Sequence, residues 1–488
     1  MKDILPFYTL DGSVGLYSLS DDDIYHSVYG AFSEAYDKFI EPAHIKNILN
    51  KKNEIKVLDI CYGIGYNSKS FLNYFLENFS QKKNQKIKSL TESISSIYTD
   101  KIKFKNGSTY NDKIDTNNVL KNNNQKCNLS IHSDNTNDTE MQQNNFYNND
   151  LSNVNAEFVS EYNTFDNENS EKEIISKDLF KEPKCSISID AVDINDTLMK
   201  ASPLFNHKKM FFYKHKTGIP RVDKYLSQKS PNKYKYKMRE EVNFIILLNL
   251  IKQYGVEYFS EDLKKLLSNK KFRSFFNEDL VDFLPFYHNQ GYKLSKDNIK
   301  STFLHNIYYG YLSKSYKNTL KVLENNEISI RYISDDARKF INDNLCRYDL
   351  IFLDAFTASK CPALWTQEFF SQLYQRLSYD GILLTYSNSS AVRGAMLKSN
   401  FYIGKIFNSN ENKFTGTVAV KNLDLIEHPL TKYEIGLLKT KAGIPYHDET
   451  LSASNADILS ARQKEVKESP LISSSQYIKN FKELSNEI

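Results

Sequence analysis

The sequence is poor in cysteine and has no long apolar run. Its five cysteines are scattered at positions 61, 127, 185, 346 and 361, and none forms a C-x-x-C pair. This spacing argues against a disulfide scaffold and against a zinc site, so we expect no metal. No stretch approaches 18 apolar residues, and the opening MKDILPFYTLDGS lacks a basic region followed by an apolar core. We therefore expect neither a membrane span nor a signal peptide, and a cytoplasmic location.

A strong excess of one charge is also missing. The formal net charge is only +4, and the pI is about 8.4. Any surface for nucleic acid must therefore be a local patch. Residues 208–239 are the candidate, because basic and aromatic residues interleave there, as in Lys233-Tyr-Lys-Tyr-Lys237. This pattern suits phosphate contacts with base stacking, but a solvated helix face accounts for it as well.

One glycine turn, Asp59-Ile-Cys-Tyr-Gly-Ile-Gly65, carries most of the information about a ligand. The apolar run Val57–Ile60 predicts a buried parallel strand before the turn, and the residues after it predict a helix start. Gly63 and Gly65 allow close approach of the backbone to a ligand, and the helix end offers unpaired N–H groups. Because position 68 is serine, the dinucleotide pattern G-x-G-x-x-G is not met. D-x-x-x-G-x-G is typical of S-adenosylmethionine (SAM) methyltransferases, although glycine turns occur in other α/β proteins too.

Apolar patterning predicts an α/β protein with a doubly wound, mostly parallel sheet of the Rossmann-like type. Residues 81–184 are dominated by Asn, Lys, Ser, Asp and Thr, which predicts a disordered insertion. The expected parts are an N-terminal cap with hairpin and helix (1–50), a methyltransferase domain in three pieces (51–80, 185–200 and 328–430), the disordered insertion (81–184), a helical insertion (201–327) and a C-terminal tail with a short helix (431–488).

Acidic residues follow three predicted strands. They are Asp193, the pair Asp335/Asp336, and Asp354. Ligands bind at the carboxyl ends of strands in open α/β sheets, although each acid alone is more often a helix cap. Asp193 lies 128 residues after Gly65 (193 − 65), whereas the ribose-binding acid usually follows the glycine turn after about 20 residues. The insertion explains the difference, because lengthening a loop costs little entropy.

The turn and the three acids together predict a SAM site. The turn would face the methionine part, Asp193 the ribose hydroxyls and Asp336 the adenine amino group. Asp354 would lie beside the transferable methyl group. Asp190 is a rival for the ribose role, but the apolar strand runs through Val192 to Asp193.

Several segments closely resemble the MnmC-like methyltransferases and occur in the expected order. They are Thr9-Leu-Asp-Gly-Ser13, Asp23-Ile-Tyr-His-Ser27, Gly30-Ala-Phe-Ser-Glu34, Cys61-Tyr-Gly-Ile-Gly-Tyr-Asn67, Asp349-Leu-Ile-Phe-Leu-Asp-Ala-Phe356, Cys361-Pro-Ala-Leu-Trp-Thr366, Gly381-Ile-Leu-Leu-Thr-Tyr-Ser387, Ala391-Val-Arg393 and Gly436-Leu-Leu-Lys-Thr-Lys-Ala-Gly-Ile-Pro-Tyr446. The resemblance covers about 1–80, 186–200 and 328–470, and it excludes 81–184.

The resemblance implies an enzyme that methylates the exocyclic amine of 5-aminomethyl-2-thiouridine at the tRNA wobble position, with SAM as cofactor and tRNA as partner. Bifunctional members add an FAD-dependent oxidase domain, but this chain has no G-x-G-x-x-G beyond its methyltransferase core, so the methyltransferase-only type is expected. The implied residues fall into three groups: Asp354, Phe356 and Tyr386 at the reaction site, Asp59, Tyr62, Gly63, Gly65, Asn67, Asp193 and Asp336 on the cofactor, and Tyr25, Glu34 and Arg393 on the substrate.

Two roles within this set are hypotheses. Asp354 would orient the amine and accept or relay its proton. Arg393 would hold an RNA phosphate, or else pair with a carboxylate at the sheet edge in a purely structural role.

Two other functions stay open. Polyamine synthases share this architecture, so a SAM-dependent methyltransferase or aminopropyltransferase of a small amine is one alternative. A non-catalytic RNA-binding protein with a decayed cofactor site is the other. The Cys61–Asn67 turn and Tyr386-Ser-Asn-Ser389 favour the tRNA enzyme, and the retained glycines and acids argue against decay.

Overall fold

The structure, a computed structural model, describes residues 3–20, 22–78, 186–207, 217–227, 236–278, 280–281 and 327–486. The predicted disordered insertion (81–184) lies outside these residues. So does much of the basic patch, including Lys233 and Lys235.

The described strands form two sheets. A three-stranded antiparallel sheet consists of β1 (Ile4–Tyr8), β2 (Val14–Ser18) and β3 (Asp23–Ile24). The central sheet consists of β4 (Glu54–Ile60), β5 (Ser186–Asp193), β6 (Glu327–Ser334), β7 (Tyr348–Leu353), β8 (Leu377–Thr385), β9 (Tyr402–Asn408) and β10 (Lys413–Val420). Its order is β6-β5-β4-β7-β8-β10-β9, and only β10 runs antiparallel to its neighbours. This topology confirms the predicted Rossmann-like sheet.

The strand order places a ligand crevice. All six residues of β7 are buried, as expected for a central parallel strand covered by helices on both faces. The chain reverses its direction of winding between β4 and β7, which are neighbours in the sheet. Ligands bind at the carboxyl ends of the strands at such a switch point.

Helices follow most strands of the central sheet. Their bounds are α1 (Ala31–Ala35, continued by a π-helical turn Tyr36–Ile40), α2 (Ile45–Lys51), α3 (66–78), α4 (Asp196–Ala201), α5 (Pro220–Leu226), α6 (Glu240–Tyr254), α7 (Glu261–Leu267), α8 (Lys270–Arg273), α9 (Ala337–Asp343), α10 (Gln367–Arg376), α11 (Ser390–Lys398), α12 (Lys432–Leu438), α13 (Asn455–Glu468) and α14 (Ser474–Asn486).

Helix α6 lies inside the region predicted as a separate helical insertion, yet it packs on the sheet. The Asn249 amide oxygen accepts a hydrogen bond from the Ile330 N–H at 3.1 Å. The Gln253 side chain bonds both the N–H and the carbonyl of Tyr332, at 2.8 and 2.7 Å. These amides pair with backbone groups on the side of β6 that faces away from β5, and so satisfy polar groups at the edge of the described sheet. We therefore count α6 with the central domain.

The segment predicted as a polar tail is likewise packed on the domain. A Cβ built on Gly394 in α11 would overlap the carbonyl oxygen of Gly443, so helix and tail are in direct backbone contact. The Tyr446 carbonyl accepts from the Gln367 N–H at 2.9 Å. The N-terminus of helix α13 is capped by the Ser454 hydroxyl.

Candidate functional site

A cavity of about 670 Å³ opens at the carboxyl ends of β4 to β8. This volume is in the range of small-molecule and cofactor sites. Its wall combines the loops after the strands with parts of the N-terminal cap and of the C-terminal segment: Cys61, Gly63, Asp193, Asp336, Asp354, Phe356 and Tyr386 from the sheet, Tyr25, His26 and Glu34 from the cap, and Ser452 to Asn455 from the C-terminal segment.

The glycine turn is fixed by its backbone conformation and by Asp193. Gly63 and Gly65 have φ angles of 55° and 79°, in the left-handed region that favours glycine. The Gly63 N–H donates to Asp193 Oδ2 at 2.7 Å, and the Asn195 N–H donates to Oδ1 at 2.8 Å. Burial raises the pKa of the Asp193 carboxyl, and these backbone donors oppose that rise. A carboxylate has about four acceptor sites, so these backbone donors still leave capacity for a ligand hydroxyl.

Asp59 holds the start of α3 and does not line the cavity. Its Oδ2 accepts from the N–H and the hydroxyl of Ser68, at 3.1 and 2.6 Å. Burial raises the pKa of this carboxyl to about 7. Asp59 is therefore not placed for the predicted direct contact with the cofactor. It acts on the site indirectly, by holding Ser68 at the start of the helix that follows the turn.

Tyr62 and Gly65 also lie behind the cavity wall. The Tyr62 hydroxyl is 3.0 Å from the Ser202 hydroxyl, and its ring packs edge-on against Tyr332. A Cβ on Gly65 would overlap the Tyr62 ring. The two residues shape the turn from beneath, and neither is placed to contact a ligand in the cavity.

Arg393 is buried beside β10 and is not among the residues that line the cavity. Its Nε donates to the Thr417 hydroxyl at 2.9 Å, and Nη1 lies 3.5 Å from a Glu434 carboxylate oxygen. Arg393 Nη2 also donates to the Asn388 side-chain oxygen at 3.0 Å. These contacts are those of the structural alternative. The predicted contact with an RNA phosphate stays a prediction.

Asp354 stands at the inner end of the cavity. Asn67 lies behind the wall, and its Nδ2 donates to Asp354 Oδ2 at 3.2 Å. Burial raises the pKa of the Asp354 carboxyl to about 7, and the negative charge of Glu34 contributes to the rise. A carboxyl with this pKa exchanges protons readily near neutral pH.

Glu34 faces the same region from α1. Its Oε2 accepts from the Ser27 N–H at 2.7 Å, and its Oε1 lies 2.5 Å from the Lys38 ammonium. Burial by itself would raise the pKa of Glu34, but the Lys38 charge and these hydrogen bonds hold it below its usual value. Glu34 is thus a fixed carboxylate beside Asp354.

Aromatic rings surround the two carboxylates. Tyr25 and Phe356 meet edge to face with their centroids 5.0 Å apart. The Tyr386 hydroxyl donates to the Ala355 carbonyl at 2.7 Å, which fixes the ring in the wall. Aromatic faces next to carboxylates favour a ligand that is both cationic and flat.

Sequence reasoning missed three parts of the wall. His26 belongs to the motif Asp23–Ser27 without a predicted role of its own, yet its Nε2 is buried and has no hydrogen-bond partner among the described residues. Arg338 follows Asp335-Asp336-Ala337, and this arrangement of acids before a base was a usable signal. The loop Ser452–Asn455 could not be assigned to the site from sequence, because its contact with the cavity depends on the tertiary fold.

The described ranges contain no cluster of three or more His, Cys, Asp or Glu side chains that could hold a metal ion. Among the helices in the same ranges, none is long and apolar enough to cross a membrane.

Comparisons with known proteins bear on this site. Residues 300–422 match a family described as S-adenosyl-L-methionine-dependent methyltransferase. Uncharacterized protein MJ0670 of Methanocaldococcus jannaschii is 31% identical over 149 residues, which are 28% of this chain and 42% of that protein. The tRNA 5-methylaminomethyl-2-thiouridine biosynthesis bifunctional protein MnmC of Pseudomonas entomophila is 32% identical over 85 residues, 17% of this chain and 13% of that protein.

The chain thus spans less than half the length of these curated relatives. Among solved structures, MNMC2 from Aquifex aeolicus aligns with a TM-score of 0.43 and 15% identity, over 96% of this chain and 86% of that one.

Proposed function

We propose that this chain, a SAM-dependent methyltransferase of the MnmC-like family, methylates the primary amine of 5-aminomethyl-2-thiouridine in tRNA. The acceptor end of the cavity supports the proposal: the carboxylates of Asp354 and Glu34 lie among the rings of Tyr25, Phe356 and Tyr386. A uracil ring with an aminomethyl group matches this wall, because its ammonium can approach the carboxylates and its flat ring can pack on the aromatic side chains. The Pseudomonas entomophila relative carries the methylated nucleoside in its name.

The residues at the cavity fit SAM. We assign the Gly63 turn to the methionine end, Asp193 to the ribose and Asp336 to the adenine. The bound cofactor supplies a methyl group on a positively charged sulfur. The negative carboxylates of the cavity wall attract this positive charge. The backbone at Gly63 is left-handed, which favours glycine, and the missing side chain lets a ligand approach the turn closely.

The reaction needs a neutral amine, which Asp354 can provide. The carboxylate takes one proton from the substrate ammonium and leaves a lone pair on nitrogen. The neutral amine would then be able to attack the methyl group that the cofactor would supply when held by the Gly63 turn, Asp193 and Asp336, with the C–S bonding electrons left on sulfur. Phe356 and Tyr386 shape the approach of the amine. Alignment of reactants by such a site can remove about 7–11 kcal/mol of the barrier.

Asp354→Asn tests the role of the carboxylate. Asparagine keeps the size and the bond from Asn67, but it cannot accept the proton. We expect SAM binding close to that of the wild type in calorimetry and a fall in turnover on aminomethyluridine tRNA of roughly 100-fold or more. Asp190→Asn is the matched control, because Asp190 is a buried carboxylate that pairs with Arg331 outside the cavity. Near-normal turnover of Asp354→Asn would refute the assignment.

The tRNA substrate needs a separate test. In a strain lacking the gene, nucleoside analysis of tRNA should show accumulation of unmethylated aminomethyluridine. An unchanged nucleoside profile would exclude this substrate.

A small cationic amine is the second candidate, because the same carboxylates and rings suit it. Methyl transfer from labelled SAM to free polyamines, compared with transfer to tRNA from the deletion strain, separates the two.

A further inference from the structure

We propose that Arg338 and Asp448 are positioning residues that make the C-terminal loop Ser452–Asn455 a working wall of the cofactor site. The inference rests on the proposed SAM site. The loop lies in the segment predicted as a polar tail (431–488), and it would contribute to the affinity for the cofactor.

Arg338 connects the sheet edge to the loop. Its Nη2 donates to Asp336 Oδ2 at 2.7 Å, and its Nε lies 3.2 Å from both oxygens of that carboxylate. Its Nη1 donates to Asp448 Oδ2 at 2.7 Å and to the Ala453 carbonyl at 2.9 Å. One planar guanidinium therefore fixes the orientation of Asp336, the residue assigned to adenine, and the position of the loop.

Asp448 completes the arrangement without contacting the cavity. It is buried and is absent from the cavity wall. Its Oδ1 accepts from the N–H groups of Ser452 and Ala453, each at 3.2 Å, and from the Thr450 hydroxyl at 3.3 Å. The carboxylate thus organises the loop backbone from behind, as its other oxygen receives Arg338.

The loop it organises is part of the cavity. Ser452, Ala453, Ser454 and Asn455 line the same space as Asp336 and Arg338. Asn455 is also held, because its side-chain oxygen accepts from the Ala363 N–H at 3.3 Å. Loosening Asp448 should therefore release one wall of the cavity and leave the Gly63 turn and Asp354 at the other end in place.

Asp448→Asn is the decisive variant, because Asp448 does not line the cavity and can affect SAM only through the loop and through Arg338. We expect calorimetry to show weaker binding of both SAM and S-adenosylhomocysteine, by roughly tenfold or more, since charge-assisted bonds are lost. Both ligands share the adenosine part, so Kd should rise by the same factor for SAM and for S-adenosylhomocysteine. In turnover, the loss should appear in KM for SAM rather than in kcat.

Arg338→Lys is the second variant, for use if Asp448→Asn does not fold. Lysine keeps the charge but cannot hold Asp336, Asp448 and Ala453 together, so the same loss of affinity is expected. Arg331→Lys is the control for a lost bidentate pair, since Arg331 binds Asp190 outside the cavity.

Hydrogen exchange gives a readout without any substitution. Amides of 448–455 in the wild-type protein should exchange more slowly when SAM is added. Unchanged exchange, or variants that bind SAM as tightly as the wild type, would overturn the inference. Failure of the wild type to bind SAM would instead refute the proposed function.

Discussion

Lys69 offers a quantitative test of the interior around the glycine turn. It lies on α3 with only 1% of its surface exposed, and its ammonium donates to the Ser202 carbonyl at 2.7 Å. The ring of Tyr66 is 5.2 Å from the nitrogen. Burial lowers the pKa of this lysine from 10.5 to about 7.

The lowered pKa makes the stability depend on pH. Between pH 7 and 10.5 the unfolded chain holds the proton and the folded chain releases it, so stability rises with pH across this window. At 1.36 kcal/mol for each pH unit, the difference in pKa corresponds to roughly 5 kcal/mol. Lys69→Met removes the titration but leaves the Ser202 carbonyl without its donor, which costs about 1–3 kcal/mol.

We therefore expect the free energy of unfolding of Lys69→Met to exceed that of the wild type by most near pH 7. This difference should shrink by several kcal/mol towards pH 10. There it should change sign, because burial of the lysine no longer destabilises the wild type and the variant still lacks the hydrogen bond to Ser202. Urea unfolding at a series of pH values, followed by fluorescence of the buried Trp365, measures the difference. Lys265→Met, at an exposed lysine, is the matched control. A difference between Lys69→Met and wild type that is constant over pH 7–10 would refute the reasoning.

Three further substitutions test the turn, the carboxylates and the tail. Gly65→Ala should lower the free energy of unfolding by about 2 kcal/mol or more, because alanine disfavours the left-handed backbone and its Cβ overlaps a tyrosine ring; urea unfolding measures it, and an unchanged midpoint contradicts it. Activity should fall below about pH 7 as Asp354 gains a proton. Glu34→Gln removes a nearby negative charge, which should lower the pKa of Asp354 and move the acidic limb of the kcat/KM profile to lower pH. An acidic limb that does not move argues against coupling between the two carboxylates. Gly394→Ala should lower the melting temperature, although alanine favours helices by about 1 kcal/mol, because its Cβ meets the Gly443 carbonyl; a raised melting temperature would show that the tail yields easily.

Patterns that repeat along the chain predicted most strands of the central sheet. The apolar run before Asp193 identified β5 despite the long insertion, and the structure pairs Ile60 with Val192 in the predicted parallel arrangement. Continuous apolar residues likewise identified β7, since a strand covered on both faces has no polar side. The strand β9 went unpredicted, because its buried positions include Gly404, Lys405 and Asn408, which interrupt the apolar pattern.

Side-chain direction is what the patterns could not supply. Tyr62 sits in the cofactor motif but turns inward to Ser202, and Arg393 sits in a family motif but pairs with Glu434. Both outcomes depend on residues far away in the sequence. The same holds for the loop at 452–455, whose place in the cavity is set by Arg338.

The glycine turn acts as much on its neighbouring strands as on a ligand. Its backbone N–H at Gly63 holds Asp193 at the end of β5, and Asn67 holds Asp354 at the end of β7. Asp59 also fixes the start of α3, through the Ser68 N–H. The segment Cys61–Asn67 thus holds two cavity-lining carboxylates, Asp193 on one side and Asp354 on the other. These are the residues proposed for the ribose and for the amine. A change in the length of this segment should therefore move the two carboxylates relative to each other, because both are tied to its backbone and side chains.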